Sequence, residues 1–171
     1  LMYWQVYLHR TCVAYEKVLV NMLTRAKDLI RMGQEVFASP ALHYFLSNDV
    51  DAEWFATHPE TLAWYGELDD SDIWSAMKAW KHHDDIILST LATDMLDRRI
   101  FKVEVHEEPI TEERIEELKG IIAQNMGIPL EDAHYMMSVN TISKDMYNVD
   151  DDSIGILYKN DEIRDISEAY D

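Results

Sequence analysis

The sequence predicts a mainly helical protein, with a multi-helix lobe over residues 1–100 and a small, acidic α+β lobe over 101–171. Three observations carry that expectation. Apolar residues recur at three- and four-residue steps over the first hundred positions, the period that turns one face of a helix into a core. At Phe101-Lys102-Val103-Glu104-Val105-His106 the period becomes a strict alternation, as in a half-buried strand. Five glycines and four prolines in 171 residues leave little room for a loop-rich or low-complexity chain.

Residues 1–32 read as one helix, since Cys12, Tyr15, Leu19, Met22, Leu23, Ala26, Leu29 and Ile30 share a stripe, and Gly33 suits its C-terminal end. The stripe is already under way at Leu1 with no capping residue before it, so the chain is expected to enter in mid-helix, cut from a longer protein. Ser39-Pro40 supplies an N-cap with proline at the first helical position for a short helix through Leu46, and Ser47-Asn48-Asp49 breaks it. Residues 51–65 read as helix interrupted near His58-Pro59, carrying Trp54, Phe55, Leu62 and Trp64. Ser71 is the expected cap of a helix through Trp80 that buries Ile73, Trp74, Met77 and Trp80. Asp84 or Asp85 opens the next, to Asp97, with Ile87, Leu88, Leu91, Met95 and Leu96 inside.

In the second lobe Thr111 caps an amphipathic helix to Met126, in a capping box where Arg114 replaces the usual Glu, and Gly127 ends it. Strands are expected at 101–106, 133–140, 153–159 and 162–167, the last two joined by a turn at Asn160-Asp161.

Charge and cysteine content exclude several functions. The chain holds 33 acidic and 15 basic side chains, for a net charge of −18. Coating nucleic acid or lying on anionic lipid requires the opposite sign. Residues 1–103 carry 15 acidic and 10 basic groups, net −5, and residues 104–171 carry 18 and 5, net −13. The acid of the small lobe reads as a solubilising surface. A single cysteine, Cys12, excludes internal disulfides, CxxC redox chemistry and multi-cysteine zinc sites; inside a helix it reads as a small buried apolar residue. No signal peptide or membrane span is evident, and a cytoplasmic location is expected.

Few motifs rise above composition. Neither GxSxG, GxxxxGK[ST] nor GxGxxG occurs. His82-His83-Asp84-Asp85 contains the His-Asp pair used by some bimetal sites, but it falls between two helices, where aspartate caps and C-terminal histidines are ordinary. Nothing in the spacing of His43, His58, Asp94 or Asp145 selects further ligands. Asp150-Asp151-Asp152 lacks the alternating ligands and terminal Glu of a calcium loop and reads as a connection. In a continuous first helix Tyr3, Tyr7 and Arg10 share one face, where aromatics stack on a base or sugar and a cation meets phosphate.

That stretch, Met2-Tyr3-Trp4-Gln5-Val6-Tyr7-Leu8-His9-Arg10-Thr11 with Ala14, Glu16, Lys17 and Leu19 after it, resembles the helix following the catalytic core of HD-domain phosphohydrolases. The resemblance is to the bacterial deoxynucleoside triphosphate triphosphohydrolase (dGTPase-like) members. It continues through Leu68-Asp69-Asp70, Asp72-Ile73-Trp74, Ile87-Leu88-Ser89 and Arg98-Arg99 with Phe101-Lys102, covering residues 1–103 in order. It implies that the helical lobe continues an HD-domain all-α fold, and that the parent cleaves a dNTP to deoxynucleoside and triphosphate. It also implies a divalent metal, Mn, Mg, Fe or Ni, held in the parent by a His…His-Asp…Asp set that precedes Leu1; no metal is expected on this chain, nor any catalytic residue. Tyr7 matches a tyrosine that packs on the substrate sugar, and Tyr3 faces the same pocket. His9 and Arg10 match a pair that meets a regulatory nucleotide's phosphates at a subunit interface. The expected partners are the HD core of the same protein, a deoxynucleotide and a second copy in a dimer, with no nucleic acid and no membrane. A second reading makes the chain a non-catalytic regulatory or interaction module docking a partner through its first helix, and a third a self-contained metallohydrolase using His83 and Asp84.

Overall fold

A computed structural model describes residues 9–104, 106, 108–140, 155–158 and 162–165, and is mainly helical as expected. Contacts divide the chain into two units, Leu1–Ser138 and Val139–Asp171. The first is organised around helix α1, Arg10–Arg31. Ala14, Val18, Met22, Ala26 and Leu29 are buried at steps of three and four, so one stripe of α1 enters the core. Helix α6, Ile86–Leu96, packs against that stripe with Ile87, Leu88, Leu91 and Ala92. Helix α5, Asp70–Trp80, adds Ala76, Met77 and Trp80. The Trp80 indole is fully buried, and its N–H donates to the Phe37 carbonyl at 2.8 Å. Each fully buried Leu, Ile or Met in this core contributes roughly 1.5–3 kcal/mol over its exposed state.

Short helices wrap the remaining sides: α2 (Pro40–Ser47), α3 (Ala52–Thr57) and α4 (Thr61–Glu67). Ser39 caps α2 ahead of Pro40, and the break at His58-Pro59 separates α3 from α4, as the sequence predicts. Helix α7, Glu112–Met126, is capped by Thr111 and closed by Gly127, whose φ of 67° is left-handed. It packs on a 3-10 helix, Leu130–Met136, which also touches α1. Both therefore belong to the first unit. In the second unit β1, Gly155–Leu157, pairs antiparallel with β2, Ile163–Asp165, in the register Ile156 opposite Arg164. These short strands lie within two of the predicted ones; the expected turn at Asn160-Asp161 and the Asp150-Asp151-Asp152 connection are outside the described residues.

Several expectations are corrected. Helix α1 begins at Arg10, not at residue 1: His9 is extended (φ −61°, ψ 125°) and its side chain accepts from the Thr11 N–H. The expected shared face of Tyr3, Tyr7 and Arg10 falls on residues 1–8, which lie outside the described residues, and on the first residue of α1. The 133–140 strand is mostly the 3-10 helix instead. Its buried pair, Ala133 and Tyr135, has the i, i+2 spacing that alternation in a sequence mimics. Residues 101–104 are neither strand nor helix. Asp69, not Ser71, caps α5, because Asp72 answers it in a reciprocal capping box. Trp74, expected inside, is 52% exposed, and Cys12 is exposed as well. Arg114 takes no part in a capping box, since a guanidinium has no acceptor; it pairs with Glu117 at 2.6 Å.

Candidate functional site

The polar groups of the first unit converge on Arg25. Its place on α1, between Met22 and Leu29, puts a cation on the buried stripe, where it is 7% exposed. Burial of an unpaired guanidinium is costly, and the fold supplies partners from two other elements. Asp85 receives Nε at 3.2 Å and Nη2 at 2.7 Å, a bidentate fork. Asp132 of the 3-10 helix receives Nη1 at 3.1 Å. The guanidinium carbon also lies 4.9 Å from the centroid of the Tyr135 ring.

The network extends outward from there. The Tyr135 hydroxyl donates to Asp28 at 2.7 Å, and the Asn21 amide donates to the carbonyls of Tyr135 and Met137 at 2.9 and 3.0 Å. Hydrogen bonding by Asp85 raises the Arg25 pKa beyond its already high value. For Asp85 burial pushes the carboxyl up, but Arg25, the Leu88 N–H and His83 together bring it below its ordinary value. The Tyr135 phenol is pushed up to about 12 by burial and by its bond to Asp28. Among the described residues no buried side-chain polar atom lacks a partner.

This arrangement fixes geometry; it contains no activated nucleophile. It also decides the His82-His83-Asp84-Asp85 stretch. Asp85 is both the N-cap of α6, accepting from the Leu88 N–H at 2.8 Å, and the partner of Arg25. His83 accepts the Asp85 N–H on Nδ1 at 3.0 Å, and its Nε2 lies 3.2 Å from the Glu35 carbonyl, so both ring nitrogens are bonded to main chain. Asp84 is exposed. The described residues contain no group of three or more His, Cys, Asp or Glu placed to hold a metal ion.

The residues singled out for nucleotide contact are less built. Tyr3 and Tyr7 lie outside the described residues. His9 and Arg10 are adjacent and exposed at the start of α1, with His9 engaged as the cap. An open groove ahead of α7 is lined in part by Glu104, His106, Thr111 and Arg114; Glu104 pairs with Lys102 at 2.8 Å and Thr111 caps the helix. Arg25, Asp28, Asp132 and Tyr135 are not among the candidates that the sequence predicts. A readable signal existed for the first: an arginine in register with Val18, Met22 and Leu29 interrupts an otherwise apolar stripe.

No family model matches the chain. A curated relative, the uncharacterized protein YwfO of Bacillus subtilis (strain 168), is 34% identical over 101 residues, which cover 59% of this chain and 21% of that protein. Among solved structures, a phosphohydrolase (BT4208) from Bacteroides thetaiotaomicron VPI-5482 superposes with a TM-score of 0.83 at 52% identity, covering 99% of this chain and 42% of the other. The chain thus spans about a fifth of the curated relative and less than half of the solved phosphohydrolase, to which it is similar over nearly its whole length.

Proposed function

We propose that the chain is the C-terminal portion of a metal-dependent phosphohydrolase of the HD superfamily, a deoxynucleoside triphosphate triphosphohydrolase. The observation that carries this reading is the 52% identity over 99% of the chain to a protein described as a phosphohydrolase. The ordered resemblance from Met2-Tyr3-Trp4-Gln5 to Phe101-Lys102 supplies the narrower assignment. By the same resemblance, its metal ligands are assigned to parts of the longer protein that this chain does not span. The metal would activate water or orient the triphosphate there. The role of this chain is positional: Tyr7 packs on the substrate sugar with Tyr3 beside it, and His9 and Arg10 face the phosphates of a regulatory nucleotide at a subunit interface. The Arg25 network, further along α1, holds that helix against α6 and the 3-10 helix.

The test compares triphosphate release from dGTP and the other dNTPs, with Mn²⁺, by the 171-residue chain and by the full-length protein. Turnover is expected from the full-length protein alone. Tyr7→Ala in that protein is expected to lower kcat/KM about tenfold, the loss of one aromatic packing contact of roughly 1.4 kcal/mol. Equal dNTP turnover by the isolated chain, or none by the full-length protein, overturns the proposal.

A further inference from the structure

The outer surface of α2, α3 and α4 combines exposed aromatic rings with uncompensated acid. Helix α3 buries none of its residues and α4 buries only Thr61. Helices this short are marginal in water without tertiary burial. Here polar tips hold them: the Trp54 indole donates to the Tyr44 hydroxyl at 3.0 Å, and that hydroxyl bonds Thr61 at 2.8 Å. The rings then form one continuous patch. Tyr65 meets Phe45 and Phe55 edge-on, with centroids 6.4 and 6.2 Å apart. Within it Leu62 is 68% exposed, Tyr65 61% and Phe55 38%. A contiguous exposed apolar patch on a folded protein marks a binding surface more often than a lone exposed residue does.

The charge around the patch selects its partner. From Met32 to Met77 the sequence contains nine Asp or Glu and no Lys or Arg. Some of this acid is spent. Asp49 pairs with Lys27 and Arg31, Asp51 caps α3, and Asp69 with Asp72 caps α5. Glu53, Glu60 and Glu67 are exposed on α3, α4 and the link between them, and none forms an ion pair with another described residue. A second copy would set these carboxylates against their own kind, a repulsive juxtaposition. A guanidinium suits both components at once, stacking on Tyr65 or Phe55 and pairing with Glu53 or Glu60. We propose that the α2–α4 face docks an arginine-bearing segment of a partner protein, with Leu62, Tyr65 and Phe55 as the apolar anchor and Glu53, Glu60 and Glu67 as the charged rim. None of these residues is among those assigned to nucleotide contact.

The test titrates the 171-residue chain with a synthetic helical peptide carrying Arg and Leu at i, i+4 spacing, and with the same peptide in which every Arg is Glu. Binding is read by tryptophan fluorescence and calorimetry. The Arg peptide is expected to bind and the Glu peptide not, with affinity falling as salt rises. Leu62→Ser and Tyr65→Ser are each expected to weaken binding about tenfold, and the exposure of both sites leaves the helical circular dichroism unchanged. The paired Glu53→Gln and Glu60→Gln change is expected to flatten the salt dependence. Equal binding of the two peptides, or of neither, overturns the proposal without recourse to any variant. So does self-association that Tyr65→Ser abolishes, which makes the occupant a second copy. Binding by the 171-residue chain but not by the full-length protein also overturns it, because the occupant is then a segment of the same protein.

Discussion

Arg25 shows how one residue can commit three elements. Replacing it with Met keeps the volume of the stripe but leaves Asp85, at 12% side-chain exposure, without its cation. Arg25→Met is expected to cost about 3 kcal/mol or more in urea denaturation, much of it from the stranded carboxylate. Arg25→Met combined with Asp85→Asn is expected to recover part of that loss, since Asn still caps α6. Both ends of the pH scale report on the same network. The depressed pKa of Asp85 means that its contribution is present above the ordinary carboxylate value and is lost as pH falls below it. Tyr135 has the opposite sign. With a folded pKa of about 12 against about 10 when unfolded, its proton is held more tightly in the native state, and stability falls as pH rises between those values. Tyr135→Phe is expected to reduce that alkaline slope, measured as the difference between the two proteins. At this scale the sequence concealed the site because its members, residues 25 and 28, 85, and 132 and 135, come from three separated stretches, and only Asp85 lies in a stretch the sequence marks.

At the scale of elements, local chemistry was the most legible. Ser39-Pro40, Thr111 and Gly127 mark helix ends by mechanisms that need no tertiary information: a side-chain acceptor, a preset φ, a tolerated left-handed turn. Gly127→Ala is expected to cost about 1 kcal/mol in thermal or chemical unfolding, because φ of 67° there penalises a Cβ. No neighbouring atom crowds that Cβ, so the cost is one of backbone conformation alone. The errors arose where two signals compete. Ser71 is a good cap in isolation, yet Asp69 with Asp72 satisfies two donors where Ser71 would satisfy one. Ala133 and Tyr135 alternate like a strand, but Pro129 and the polar partners of Tyr135 fold them into a 3-10 helix. Trp74 falls on the predicted stripe of α5, but the buried residues there are Ala76, Met77 and Trp80, and Trp74 is not among them.

For the whole molecule, the expectation of a helical lobe followed by a little sheet holds, while the contact boundary falls after Ser138. The composition change near Arg98-Arg99 marks the loss of a helical period, which need not coincide with the loss of contacts to α1. The apolar opening of the chain, with Leu1, Met2, Tyr3, Trp4, Val6 and Leu8 among its first eight residues, bears on assembly. We expect a dimer by light scattering at micromolar concentration, with a clean monomer as the contrary result. Charge predicts that this association strengthens with salt, since a net −18 chain repels its copy.

The polar closure of the 3-10 helix on α1 also bears on the order of folding. Its bonds join positions 107 to 116 residues apart, the longest-range pairings of the Arg25 network. Contacts of that span carry the largest chain-closure entropy before any enthalpy is returned. The α1–α6 pairing, 60 residues apart at Arg25 and Asp85, closes a shorter loop and buries the apolar stripe at once. Docking of residues 130–136 is therefore expected to follow the α1–α6 pairing, and its reversal to precede opening of the core. Amide exchange from that segment should run ahead of exchange from the middle of α1 at every temperature below the transition.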